Sequence, residues 1–145
     1  MPSLDHVAIC PADLDAALHF YRDGVGLDVL FDVTFDANFE ALLGVPTEQP
    51  HIVFLGNREH PDAGRIELID LGTSDLPDGR TAAGLPHRGT CLVSFHVSVD
   101  ETLQRLADLG LGGPPRRLAG PHALAAVVVD PDGVMVELVS QPVAY

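Results

Sequence analysis

Residues 4–9 read Leu-Asp-His-Val-Ala-Ile and residues 92–99 read Leu-Val-Ser-Phe-His-Val-Ser-Val; these two stretches decide the fold. In the first, Leu4, His6 and Ala8 fall on one face and Asp5, Val7 and Ile9 on the other, the period-2 pattern of a strand. The second alternates in the same way. Each runs into a helix. After the Cys10-Pro11 break, Asp13 stands as an N-cap before LDAALHFYRDGVGL, where Leu14, Ala17, Leu18 and Tyr21 recur at helical spacing until Gly24 and Gly26. Asp100 is placed to cap ETLQRLADLGLGG, with Leu103, Leu106 and Leu109 as its apolar stripe and Gly110 as its stop. The chain therefore begins twice.

Working outward, His51 to Leu55 (HIVFL) and Arg65 to Leu71 (RIELIDL) have counterparts in Leu124 to Val129 (LAAVVV) and Val134 to Val139 (VMVELV). The turns between them are His60-Pro61-Asp62-Ala63-Gly64 and Asp130-Pro131-Asp132-Gly133. A weaker strand is expected near Asp28 to Phe35 in the first half and near Arg116 to Leu118 in the second. The reading is α+β: one domain over 1–145, with a βαβββ module at about 1–72, a Gly-, Pro- and Asp-rich connector at about 73–89, and a second module at about 90–145. Val7, Ile9, Phe95, Val97 and Val99 are expected to be buried against the helices. The two histidines His6 and His96 are 90 positions apart and the glutamates Glu67 and Glu137 only 70, so the first module carries about twenty extra residues. Phe35 to Val45 (FDANFEALLGV) is the best candidate for them.

Composition narrows the function classes. Twenty-one acidic residues against eight basic ones give a formal charge of -13, which repels nucleic acid and anionic membrane surfaces. Large anionic substrates are disfavoured too, unless Arg65, Arg80, Arg88, Arg116 or Arg117 gathers into a patch. No apolar run is long enough to span a bilayer, and polar Asp5 and His6 follow the N-terminus at once, so the expectation is a soluble cytoplasmic protein. Cys10 and Cys91 lack CxxC spacing and read as reduced thiols, neither with the look of a nucleophile.

His6, Glu67, His96 and Glu137 carry the chemical signal. Each sits mid-strand, where a polar group facing a packed sheet needs a partner or a cavity. A lone strand histidine or glutamate is more often on a wet face, yet the neighbours at the same parity (Leu4, Ala8, Met135, Val139) are apolar. If the two sheets curl into one half-open barrel, two imidazoles and two carboxylates meet at a common centre, a divalent-metal set. Such ligands suit zinc, nickel, cobalt, manganese and ferrous iron alike. Of the other histidines, His19 lies on a helix and His60 and His87 in loops; only His51 and His122, at similar positions in the repeat, could approach the cavity, and a structural or surface role is expected for both.

With LDHVAI and the following FYRDGVGL, RIELIDL, VSFHVSVDETLQRLADLG and VVVDPDGVMVELV, the chain resembles the vicinal oxygen chelate superfamily over nearly its whole length. That superfamily includes glyoxalase I, methylmalonyl-CoA epimerase, extradiol dioxygenases, and bleomycin- and fosfomycin-resistance proteins. The resemblance implies one divalent metal on His6, Glu67, His96 and Glu137, and a glyoxalase-I-like lyase or isomerase moving a proton next to a carbonyl of a small oxygenated metabolite. Glu137 is then the first choice of proton carrier and Glu67 its partner. Glu67 weighs against ring cleavage, since single-module-pair dioxygenases leave that position without a ligand. Plain Val-Asp-Pro-Asp-Gly in place of a longer His-Pro-Lys-type segment weighs against an epimerase. The alternative is a bleomycin-resistance-like protein that sequesters a small hydrophobic or aromatic natural product without catalysis. The resemblance also implies a homodimer, and Phe35 to Val45 is expected over the cavity mouth or against the second subunit, with a plain surface helix as the other option.

Overall fold

The structure, a computed structural model, describes residues 2–72, 76–79, 84–119 and 124–140. Arg80, His122 and parts of the expected connector (73–75 and 80–83) lie outside the described residues. The chain divides into two compact units, Met1–Pro77 and Asp78–Tyr145, and each is a βαβββ module.

The first unit contains β1 (His6–Ile9), α1 (Leu14–Leu18), β2 (Asp28–Thr34), a short α2 (Glu40–Leu43), β3 (His51–Gly56) and β4 (Arg65–Asp70). Its sheet has the order β1-β4-β3-β2, with β1 parallel to β4 and the other pairs antiparallel. The Asp13 side chain accepts a hydrogen bond from the Ala16 amide at 3.0 Å, so the expected N-cap is present. Beyond Leu18 the helix departs from expectation, because His19–Val25 is π-helical until Gly26 closes it at φ 95. A side chain at Gly26 would be strained in that left-handed conformation. The wider turn leaves Phe20, Tyr21 and Val25 buried beside Ala17. α1 packs on β4, and pleat alternation gives that face Val53, Leu55, Ile66 and Leu68, each at most 1% exposed. Full burial of such a side chain contributes about 1.5–3 kcal/mol. Ile9 is buried as expected, whereas Val7 is only half-buried on the edge strand.

The opposite face of this sheet holds a second cluster of Ile52, Ile69 and Leu71, against which Phe39, Phe54 and Leu76 pack. The inserted stretch thus docks on its own module through Phe39. Its helix is a single turn. Instead, side-chain bonds fix the loop: Thr47 Oγ1 accepts from the Phe39 amide at 2.7 Å, and Asn38 Oδ1 accepts from the Glu40 and Thr47 amides. Leu42 is left 79% exposed.

The second unit contains β5 (Leu92–His96), α3 (Val99–Asp108), β6 (Arg116–Ala119), β7 (Leu124–Val129) and β8 (Met135–Val139), in sheet order β5-β8-β7-β6. α3 packs against β7. Ser98, not Asp100, stands at the helix cap position, and Asp100 lies in the first turn, where its charge suits the positive end of the helix. Val99 is buried as the first helical residue rather than as strand; Phe95 and Val97 are half-buried. Leu103 and Leu106 are buried, but Leu109 is exposed because the helix ends before it.

Candidate functional site

In the first unit, register decides which side chains meet. His6 lies opposite Arg65, Ala8 opposite Glu67, and Phe54 opposite Glu67 from the other side. His6, Glu67, Arg65 and Phe54 therefore share the face turned away from α1. His6 Nε2 lies 2.9 Å from Glu67 Oε2, and His6 Nδ1 lies 2.5 Å from Asp5 Oδ2. Arg65 in turn clamps Asp5, its guanidinium on the carboxylate and its Nε donating to the Asp5 carbonyl at 3.4 Å. The hydrogen bond from His6, and then Arg65, hold the Asp5 carboxyl below its usual range against some desolvation. The Arg65 guanidinium sits 5.1 Å over the Phe54 ring, and Phe54 meets His6 edge-on at 5.1 Å. A bulge between Val29 and Phe31 brings Phe31 opposite Phe54, adding a second aromatic ring to this face.

Asp5, Arg65, Phe54 and Phe31 were not read as site residues from the sequence. The cue for Asp5 was its place next to His6; the bulge that aims Phe31 leaves no comparable mark. Cys10, at the end of the same strand face, has its thiol pushed up first by desolvation and then by the charge of Glu67, so its thiolate is disfavoured.

In the second unit, Glu137 lies opposite Ser94 on β5 and Val127 on β7, while His96 lies opposite Val139. His96 and Glu137 share a sheet face, His96 exposed and Glu137 half-buried. The turn before Glu137 is built by Asp130, whose Oδ1 accepts from the amides of Asp132 at 2.9 Å and Val134 at 2.8 Å. The Gly133 amide donates to the Asp130 carbonyl at φ 88, which fixes where β8 begins.

The two histidines are not register equivalents. His6 stands two residues before the position facing Glu67, and His96 two residues after the position facing Glu137. Alternation alone conceals this four-residue offset, because any even shift preserves the face. His51 has the structural role expected of it: it shares its parity with Val53 and Leu55, away from Glu67, and bonds Asp32 at 2.6 Å. His19 pairs with Asp23 at 2.9 Å, and His87 Nδ1 lies against the Arg88 carbonyl.

Among the described residues no group of three or more His, Cys, Asp or Glu side chains is arranged to hold a metal ion. The donor chemistry of the first unit nevertheless fits one. Two ligands at right angles, each about 2.1 Å from an octahedral ion, stand about 3.0 Å apart, close to the 2.9 Å between His6 Nε2 and Glu67 Oε2. A carboxylate behind the other ring nitrogen is the usual companion of a metal-binding histidine.

Residues 3–138 match the family model of the Glyoxalase/Bleomycin resistance protein/Dioxygenase superfamily. The chain is 32% identical over 151 residues to the lactoylglutathione lyase-like protein terB of Aspergillus terreus, covering 97% of this chain and 76% of that protein. Among solved structures, a glyoxalase family protein from Bacillus cereus superposes with a TM-score of 0.78 at 21% identity, covering 97% of this chain and 94% of that one. The trypanothione-dependent glyoxalase I of Leishmania major does so with a TM-score of 0.65 at 20% identity, covering 97% and 87%. The chain belongs to the Glyoxalase/Bleomycin resistance protein/Dioxygenase superfamily, the vicinal oxygen chelate group that its repeated strands and paired His and Glu positions resemble.

Proposed function

We propose that this protein is a divalent-metal-dependent lyase or isomerase of the glyoxalase I type, acting on a small oxygenated metabolite. The observation that carries the reading is the His6–Glu67 pair at ligand spacing with Asp5 behind it. His6, Glu67, His96 and Glu137 would hold the metal. When bound, a divalent ion polarises a substrate carbonyl and stabilises the negative charge that develops on its oxygen. Glu137 would take the proton from the carbon next to that carbonyl, and Glu67 would return one. Phe31 and Phe54 shield that face of the first sheet from water. The lactoylglutathione lyase-like name of the Aspergillus relative supports the lyase direction.

The substrate class is small and not strongly anionic. Arg22, Arg58, Arg65 and Arg117 are each engaged by an aspartate of their own unit, so these four are already neutralised against the carboxylates or phosphates of a glutathione or coenzyme A moiety. Two free cysteines support a reducing cytoplasmic location, and no helix among the described residues is long and apolar enough to cross a membrane. The working form is a homodimer, which would cover the exposed Leu42.

A second reading, sequestration of an aromatic or hydrophobic natural product without turnover, is favoured by one observation: Phe31 is 49% exposed beside Phe54. The test is exchange of α-protons in a panel of small carbonyl compounds, followed by NMR in heavy water, with metal-loaded protein. Wild type should catalyse exchange and Glu137→Gln should abolish it. Tight binding of an aromatic compound with no exchange, unaffected by Glu137→Gln, would establish the second reading instead.

A further inference from the structure

We infer that Asp5, clamped by Arg65, is the positioning residue that fixes the tautomer and ring orientation of His6. The inference builds on the proposed metal role of His6 and Glu67. A neutral imidazole carries one proton, and here each of its two nitrogens faces a carboxylate: Nδ1 faces Asp5 at 2.5 Å and Nε2 faces Glu67 at 2.9 Å. A histidine binds metal through a nitrogen lone pair, so the proton must reside on the other nitrogen. With Glu67 serving as a ligand, Asp5 is the acceptor that keeps the proton on Nδ1 and leaves the Nε2 lone pair directed at the site.

Asp5 is an exposed residue at the entrance to an edge strand, and a lone carboxylate there would rotate freely. Two contacts from Arg65 prevent this, one on the carboxylate and one on the Asp5 carbonyl. Arg65 can make both because strand register places it directly opposite His6. The same guanidinium lies over Phe54, whose edge-on contact restrains the His6 ring plane at an interplanar angle of 87°. Arg65 thus holds both the hydrogen-bond acceptor of His6 and the ring that steadies it. This also assigns Arg65 a structural task in place of substrate capture.

The test combines a metal-free spectroscopic measurement with metal titration. Nitrogen-15 NMR of labelled histidine is recorded at mildly alkaline pH on Glu67→Ala, which removes the competing carboxylate, and on the same variant carrying Asp5→Ala. His6 should carry its proton on Nδ1 in the first and revert in the second to the Nε2-protonated form that an unpartnered histidine side chain favours. Zinc titration of the full chain should show affinity about 10–100-fold weaker in Asp5→Ala than in wild type, with a smaller loss in Arg65→Gln. Asp5 is exposed, so its removal leaves the fold intact, and circular dichroism of each variant verifies this. An unchanged tautomer on loss of Asp5, or zinc-binding wild type and Asp5→Ala with equal affinity, overturns the inference. If wild type binds no metal but the tautomer still follows Asp5, the positioning role stands and the metal reading falls.

Discussion

The loop carrying Phe39 offers a sharp test because its neighbours have opposite roles. Phe39 packs on Ile52, Ile69 and Leu71, whereas Leu42, on the single helical turn beside it, is 79% exposed. Truncating a fully buried phenylalanine to alanine costs about 3–5 kcal/mol, so the half-buried Phe39 should cost about 2 kcal/mol. With a urea dependence of about 2 kcal/mol per molar, Phe39→Ala should lower the unfolding midpoint by about 1 M. Leu42→Ser should stay within about 0.5 kcal/mol, a shift below about 0.3 M, when the protein is monomeric. Unfolding curves should be recorded at two protein concentrations alongside light scattering. If Leu42 sits in a dimer contact, its replacement yields monomers and removes the concentration dependence, while Phe39→Ala leaves the dimer in place. Equal midpoints for Phe39→Ala and wild type would refute the claim that this loop is anchored on its own module.

Three further outcomes follow from the same structure. Asp13→Ala should destabilise the first unit by about 1 kcal/mol in chemical denaturation, through loss of the bond to the Ala16 amide. The Asp23 carboxyl is held below its ordinary value of 3.8, first by Arg22 and then by His19. A depressed folded-state value gives stability that is present above 3.8 and lost on acidification below it. The difference in melting temperature between wild type and Asp23→Asn should therefore shrink as pH falls through that range; a difference that grows toward acid would contradict the pairing. Elemental analysis of protein purified without chelator should find about one divalent ion per chain, and less than about a tenth, even after reconstitution, would remove the metal reading.

Much of the architecture was legible because each module repeats the same alternation of periods. LDHVAI and LVSFHVSV show period two, the segments after them show helical spacing, and Asp-Pro-Asp-Gly marks the final hairpin. What remained hidden involves shifts that leave residue type and parity unchanged. The π-helical stretch at His19–Val25 keeps an apolar face, and nothing in its composition distinguishes it from an α-helix. Leu30 reads as an ordinary strand residue, yet the register shift there aims Phe31 toward Phe54 and leaves Asp32 beside His51. At the site, the face of His6 and Glu67 was readable from alternation. The four-residue difference in register between His6 and His96 was not, because each strand's alignment with its partner is set by packing across the sheet. The Asp5–Arg65 clamp spans 60 positions of sequence and becomes visible only once β1 and β4 lie side by side.

The strand order also bears on how the protein is made. In each unit the first strand pairs with the last, β1 with β4 and β5 with β8, although helix and two other strands intervene. Contacts between such distant segments are late and slow to form, since the loop must close before they contribute. As the chain leaves the ribosome, the first strand must wait for the final one with its edge unpaired. The contact between His6 and Glu67 belongs to that closing step. A chain stalled before residue 65 would therefore hold a hairpin of β2 and β3 and an unpartnered β1, with His6 lacking both Glu67 and the Arg65 clamp on Asp5.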